Sequence, residues 1–202
     1  MARIVDFYYA IGSRYCYLAQ SQVAHLEAIG HVAIRWRPLL SEDLMRARGL
    51  TPFKQDPVSV QYLPEYRSED AGRWAAFYGI PYREPAWKAI DWRRVNMAAV
   101  AAARVGDVAA YSRRLFDAAF GGGAQVLSDH DLARLADEAG LDGKRLVSLI
   151  DDKETAALHQ RTISAAVDAG AFGVPTFVVD GEVFWGNDRL ILLQHHLSKD
   201  AA

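Results

Sequence analysis

Apolar residues are spread unevenly along the chain: both ends carry short strand-like runs, and the long middle repeats its apolar positions at helical spacing. Residues 4–9, Ile4-Val5-Asp6-Phe7-Tyr8-Tyr9, are almost continuously apolar and rich in β-branched and aromatic side chains. That pattern predicts a buried central strand, interrupted by Asp6. Tyr15, Leu18, Ala19, Val23 and Leu26 then recur at the helical period, and Gly30 supplies a stop. Residues 32–36 predict a second strand, closed by Pro38. Strand, helix and strand joined by short connections imply a βαβ unit with parallel strands.

From Ser41 to about Ser164 the strand signal disappears. Helices are predicted over 42–48, 68–78, 91–105, 108–120, 129–139, 143–151 and 154–169. Glycines at 49, 79, 106, 121–123 and 170 punctuate them. Residues 51–62, with Pro52 and Pro57, read as an ordered loop. Ser128 is placed to cap the 129–139 helix, with Asp131 at the capping-box position, and Asp142 starts the next one. Strands return in Thr176-Phe177-Val178-Val179 and Glu182-Val183-Phe184-Trp185. Asp180-Gly181 between them is a strong hairpin signal, and a last helix is predicted over 189–197. The economical organisation is one discontinuous α/β domain, residues 1–40 and 165–202, with residues 41–164 inserted as a helical domain.

Composition narrows the function. The chain has 202 residues, 51% hydrophobic and 24% charged, with a formal net charge of −2. This is ordinary for a globular protein and leaves no basic footprint for nucleic acid. No apolar run approaches a membrane span, and Met1-Ala2-Arg3 leads into a strand pattern without an export signal. The single cysteine rules out an internal disulfide and fits a reducing compartment, so cytoplasm is expected. The histidines are scattered, and no metal site is expected.

The candidate chemistry lies between the first strand and the first helix. Ser13-Arg14-Tyr15-Cys16 has the layout of a redox C-x-x-C motif with serine in place of the first cysteine. A helix start leaves backbone N–H groups unpaired and favours an anion, of which a thiolate is one. Without an attacking cysteine of its own, the chain is suited to holding another molecule's thiol at Ser13; a plain N-cap serine is the alternative.

Several blocks together carry a family resemblance. They are Asp6-Phe7-Tyr8, Ser13 to Ala19, Arg73-Trp74 with Tyr78-Gly79-Ile80-Pro81, Phe172-Gly173-Val174-Pro175-Thr176-Phe177, and Phe184 to Leu190. In order and spacing the chain resembles the kappa-class glutathione transferase and 2-hydroxychromene-2-carboxylate isomerase family, in the DsbA-like branch of the thioredoxin superfamily. The resemblance implies an α/β thioredoxin-like fold with a large all-helical insertion. It also implies a cis Val174-Pro175 bond facing Ser13, and bound glutathione as cofactor. The cysteinyl part of glutathione would pair with the backbone at Val174 beside Pro175, its sulfur would lie near Ser13, and its γ-glutamyl end would meet Asn187, Asp188 and Arg189. The implied activity is isomerisation of an acidic aromatic substrate, 2-hydroxychromene-2-carboxylate, in aromatic catabolism by a homodimer. A kappa-class-like transferase, a DsbA-like thiol oxidoreductase and a non-catalytic glutathione-binding protein are the alternatives.

Individual residues keep two readings. Arg14, where the family commonly has proline, either stabilises a thiolate or sits exposed at the mouth of the site. Tyr15 and Asn96 either face the substrate pocket or serve structure. Asp188 and Arg189 bind ligand, or cap and brace the last helix. Cys16 is read as a small buried hydrophobe, and Tyr17 as core. Lys54 is the nearest match to a lysine of the family's insertion, and Tyr66, Arg67 and Arg83 are further candidates for an anionic substrate.

Overall fold

The computed structural model describes residues 2–51 and 63–199. Lys54 and most of the predicted 51–62 loop lie outside the described residues.

Strand β1 (Arg3–Tyr9) pairs in parallel with β2 (Val32–Pro38), as the short βαβ spacing requires. The other side of β1 takes β3 (Thr176–Val179) antiparallel, and β3 turns through Asp180-Gly181 into β4 (Glu182–Trp185). The four-stranded sheet therefore has the order β2-β1-β3-β4, with residues from both ends of the chain meeting at its centre. The turn follows its residue types: Asp180 at φ 51° and Gly181 at φ 80° adopt the left-handed pair that an Asp-Gly hairpin favours. Asp6 interrupts the apolar run to meet arginines on the neighbouring strand, since Arg35 lies opposite it and Arg37 also reaches its carboxylate, at 2.9 Å.

Helices α1 (Arg14–Ser21) and α2 (Val23–Glu27) replace the single predicted helix, with the break at Gln22. Cys16 to Gln20 are all buried, so α1 is covered on every side. The sheet side of α1 joins the main core, and Leu18 packs into a smaller cluster with Ala71 and Ala75 of α4 (Pro64–Tyr78). Pro64 stands in the first turn of α4, where its missing N–H costs nothing, so this helix starts earlier than predicted.

The helical region continues through α3 (Ser41–Ala47), α5 (Trp92–Ala102), α6 (Val108–Phe116), α7 (Asp129–Glu138), α8 (Gly143–Leu149) and α9 (Lys153–Asp168). Side chains cap the starts: Ser128 and Asp131 form a reciprocal capping box and Asp142 accepts a first-turn N–H, as the sequence suggests, and Asp91 and Asp107 do the same for α5 and α6. The predicted 108–120 helix changes pitch instead, passing into a π turn at Asp117–Gly121. A 3₁₀ turn at Asn187–Arg189 leads into α10 (Leu190–Ser198).

The core is strongly aromatic. Phe7 stacks on Phe177 at 4.5 Å and on Tyr9 at 4.9 Å, with Trp36 edge-on to Phe7 at 5.2 Å. Each fully buried side chain of this size contributes roughly 1.5–3 kcal/mol by leaving water. Tyr9 keeps its hydroxyl satisfied by sharing a 2.6 Å hydrogen bond with Ser112 of α6, tying the sheet to the helical region.

Candidate functional site

The loop between β1 and α1 is held residue by residue. Ser13 N–H donates to Ala10 O at 3.1 Å, and Ser13 Oγ accepts the Cys16 N–H at 3.3 Å, so Ser13 is the N-cap of α1. Ser13 Oγ is the acceptor in that bond, and it also lies within reach of the Cys16 thiol. Ile11 N–H donates to Asn96 Oδ1 at 2.7 Å, and Asn96 Nδ2 donates to Trp92 O at 2.7 Å. The Trp92 ring lies over Gly12, where an added Cβ would come within 3.1 Å of it. Trp92 Nε1 donates to Trp87 O at 3.0 Å, and the two indoles pack with centroids 5.2 Å apart.

Arg14 is drawn inward. Its guanidinium sits 4.9 Å over the Trp87 ring, and its side chain is 12% exposed. Nη1 lies 3.0 Å from Glu84 Oε1, an ion pair too bent to count as a hydrogen bond. Glu84 also accepts from Ser68 Oγ at 2.9 Å, from the Tyr82 hydroxyl and from Trp87 Nε1 at 2.5 Å. Burial acts to raise the Glu84 pKa, but these donors and the Arg14 charge outweigh it and hold the carboxyl below its usual range. The reading of Arg14 as an exposed arginine at the mouth is therefore corrected: a carboxylate seventy positions along the chain recruits it.

Cys16 is fully buried, and burial pushes its thiol up to about 12 despite hydrogen bonds from Ser13 and Ala10. It stays protonated and acts as a small apolar side chain. Tyr15 is half-buried and donates to Asp70 Oδ2 at 3.0 Å, with Arg67 5.6 Å over its ring. Tyr17 is core, its hydroxyl given to Pro81 O. Tyr66 and Arg83 are exposed.

The opposite wall comes from the end of the chain. Val174-Pro175 is a cis peptide. Continuing the β1–β3 register by two residues from Tyr8 and Thr176 sets Val174 opposite Ala10, so the cis-proline loop and the Ser13 loop share one end of the sheet. Gly186 N–H donates to Pro175 O at 2.9 Å, and the following turn, Asn187–Arg189, packs beside α1. Asn187 is buried, 4% exposed; its carbonyl accepts the Tyr78 hydroxyl at 3.3 Å, while its Nδ2 has no partner among the described residues. Asp188 and Arg189 pair with each other at 2.5 Å in the open. Trp185, 44% exposed, covers Gly173 and packs on Phe172 at 5.0 Å.

Ser13, Val174, Pro175 and Asn187 to Arg189 thus line one end of the sheet, with Arg14 and Tyr15 at its rim and Asn96 behind the Ser13 loop. The sequence reading missed Glu84, Trp87 and Trp92, which brace that loop. Their trace in the sequence is the cluster of Tyr82, Trp87 and Trp92 around Glu84.

A thioredoxin-like sheet with a Ser-x-x-Cys helix start, a cis-proline loop beside it and a helical insertion defines a DsbA-like member of the thioredoxin superfamily. The chain belongs to the DSBA-like thioredoxin domain family, whose model matches residues 4–198. It is 28% identical over 200 residues to a 2-hydroxychromene-2-carboxylate isomerase of Sphingobium xenophagum, across 98% of this chain and 99% of that one. Glutathione S-transferase kappa 1 of Rattus norvegicus is 22% identical over 211 residues, across 98% and 92% of the two chains. A solved structure of a 2-hydroxychromene-2-carboxylate isomerase superposes with a TM-score of 0.84 at 27% identity, covering 98% of this chain and 96% of that one.

Proposed function

We propose that the protein is a glutathione-dependent isomerase acting on 2-hydroxychromene-2-carboxylate or a close aromatic carboxylate. One observation carries this reading. The position of the attacking cysteine is a serine at the start of α1, while the chain's single cysteine is buried and protonated. Such a site suits a borrowed thiol.

The residues present fit glutathione. Asn187 Nδ2 is a buried donor without a partner among the described residues, an arrangement that costs stability unless a ligand accepts from it. Val174 would pair its backbone with the cysteinyl unit beside Pro175, and Asn187, Asp188 and Arg189 would receive the charged γ-glutamyl end. When bound, glutathione would supply a thiolate nucleophile that is regenerated rather than consumed.

The protein's own part is positional and electrostatic. Ser13 donates to the sulfur anion, and the open N–H groups of α1 add positive potential. Asn96 fixes Ile11, so the hydroxyl is presented by a loop that does not have to reorganise. Tyr15 and the face in front of Asn96 would receive the aromatic carboxylate, with Arg14 at the rim held by Glu84. We further propose a cytoplasmic homodimer, which sedimentation velocity tests.

Turnover of the chromene with and without glutathione tests the reading. Ser13→Ala is expected to lower kcat about 100-fold while glutathione still raises the melting temperature. Turnover that needs no glutathione, or that survives Ser13→Ala intact, rules the mechanism out. The second reading, a kappa-class-like transferase, rests on the full-length likeness to the rat enzyme. It predicts consumption of glutathione with a chlorodinitrobenzene-type electrophile in place of catalytic recycling. Disulfide exchange is disfavoured, because it needs an attacking thiolate at position 13.

A further inference from the structure

Arg14 and Glu84 form a charge pair one residue from Ser13, and the mechanism above gives that pair no task. Glu84 draws on separate segments: it pairs with the charge of Arg14 at the start of α1 and accepts from Ser68 in α4 and from Tyr82 and Trp87 in the connection that follows. Trp87 in turn carries the Arg14 guanidinium on its ring and the Trp92 indole on its carbonyl, and Trp92 covers Gly12. Both neighbours of Ser13 are therefore clamped by one assembly whose only ionised acceptor is Glu84.

We propose that Glu84 is a positioning residue that locks Arg14 onto Trp87 and cancels its charge, so that a sulfur at position 13 feels the Ser13 hydroxyl and the α1 N–H groups but no net field from Arg14. Among the described residues, the other charged groups near the loop come as neighbours of opposite sign. Asp70 and Arg67 flank Tyr15 on the α4 side, and Asp188 pairs with Arg189 in the turn beside α1. Cys16 adds no charge, since burial keeps it protonated. The bearing on glutathione rests on the function proposed above. Once the Ser13 hydroxyl and the α1 N–H groups have brought a sulfur's pKa near ambient pH, a further fall costs nucleophilicity without adding thiolate, so an uncompensated arginine beside it would slow addition. The departure from the family's proline at position 14 is thus made harmless by a carboxylate.

A thiol reporter tests this without glutathione. Ser13→Cys puts a sulfur at the position, and its alkylation by iodoacetamide is followed from about pH 4 to 10 under a phosphine reductant, with the parent chain giving the Cys16 background. Relative to Ser13→Cys alone, adding Glu84→Gln is expected to lower the midpoint by about one pH unit, and adding Arg14→Gln to raise it by about as much. Adding both is expected to return it to within about 0.3 unit. A midpoint that Glu84→Gln leaves in place overturns the proposal, and so does a triple variant that titrates like the Arg14→Gln background. Should Glu84→Gln fail to fold by circular dichroism, Ser13→Cys with Arg14→Lys decides. It keeps the charge and is expected at the Ser13→Cys midpoint, whereas a rise matching Arg14→Gln overturns the proposal. Thermal shift of the unsubstituted chain by glutathione is read separately and bears only on the cofactor.

Discussion

Two buried asparagines, Asn96 behind the Ser13 loop and Asn187 in the turn beside α1, are used in opposite ways. Asn96, 4% exposed, spends its carbonyl oxygen on Ile11 N–H and its amide on Trp92 O, each at 2.7 Å. Asn187 is equally buried, yet its Nδ2 meets no acceptor among the described residues. The glycines beside them repeat the contrast. Gly12 lies under the half-buried Trp92, which is itself tied to Trp87, whereas Gly173 lies under Trp185 on an exposed edge. One wall has its polar groups closed among themselves and so holds a fixed shape. The other keeps a donor open, as a wall that binds a ligand must.

Breaking the closed wall is expected to cost most. Asn96→Leu leaves Ile11 N–H buried without a partner, and urea unfolding is expected to show a loss of about 2 kcal/mol, with turnover falling alongside. The same change on the open wall is expected to act on binding alone. Asn187→Leu keeps stability within about 0.5 kcal/mol and weakens glutathione binding about tenfold, or ~1.4 kcal/mol by calorimetry. Equal stability losses at the two positions would erase the distinction between the walls.

His159 sharpens the comparison, because it closes a backbone group as Asn96 does but can titrate. Its Nε2 accepts Leu40 N–H at 3.2 Å, and burial lowers its pKa, with Arg93 adding to that effect and Asp43, 4.0 Å away, opposing it. The unfolded chain therefore takes up this proton first as pH falls below about 6.5. Stability should decline there by no more than about 1.4 kcal/mol per pH unit from this group. Denaturant titrations between about pH 5 and 7 are expected to show a flatter profile for His159→Gln. The smallest effect is expected at Gly12→Ala, where the new Cβ crowds the Trp92 ring at 3.1 Å. About 0.5–1 kcal/mol of stability should be lost, and a stability gain would mean that Trp92 is looser than its hydrogen bond suggests.

What the sequence makes legible is local. The Asp180-Gly181 hairpin, the Ser128–Asp131 capping box and the Ser13 cap depend on residues within three or four positions of one another, and each is present. The cis bond at Val174-Pro175, expected from the family resemblance alone, is present as well. The bracing of the site was not legible, because it joins distant segments. Asn96 reaches Ile11, and Glu84 reaches Arg14, through packing that no local propensity encodes. The break at Gln22 and the π turn after Phe116 were missed for a related reason, since both runs keep their apolar period while the pitch changes.

Cys16 gives the protein an unusual chemical durability. Its only sulfhydryl is sealed in the core and protonated at any ordinary pH, so thiol-seeking alkylating agents and peroxides find nothing on the folded chain to attack there. If the working sulfur arrives with a diffusible tripeptide, an oxidised nucleophile can simply be exchanged for a fresh one. A wear-prone part of the machinery then sits outside the polypeptide, and the fold that holds it need never be replaced on that account.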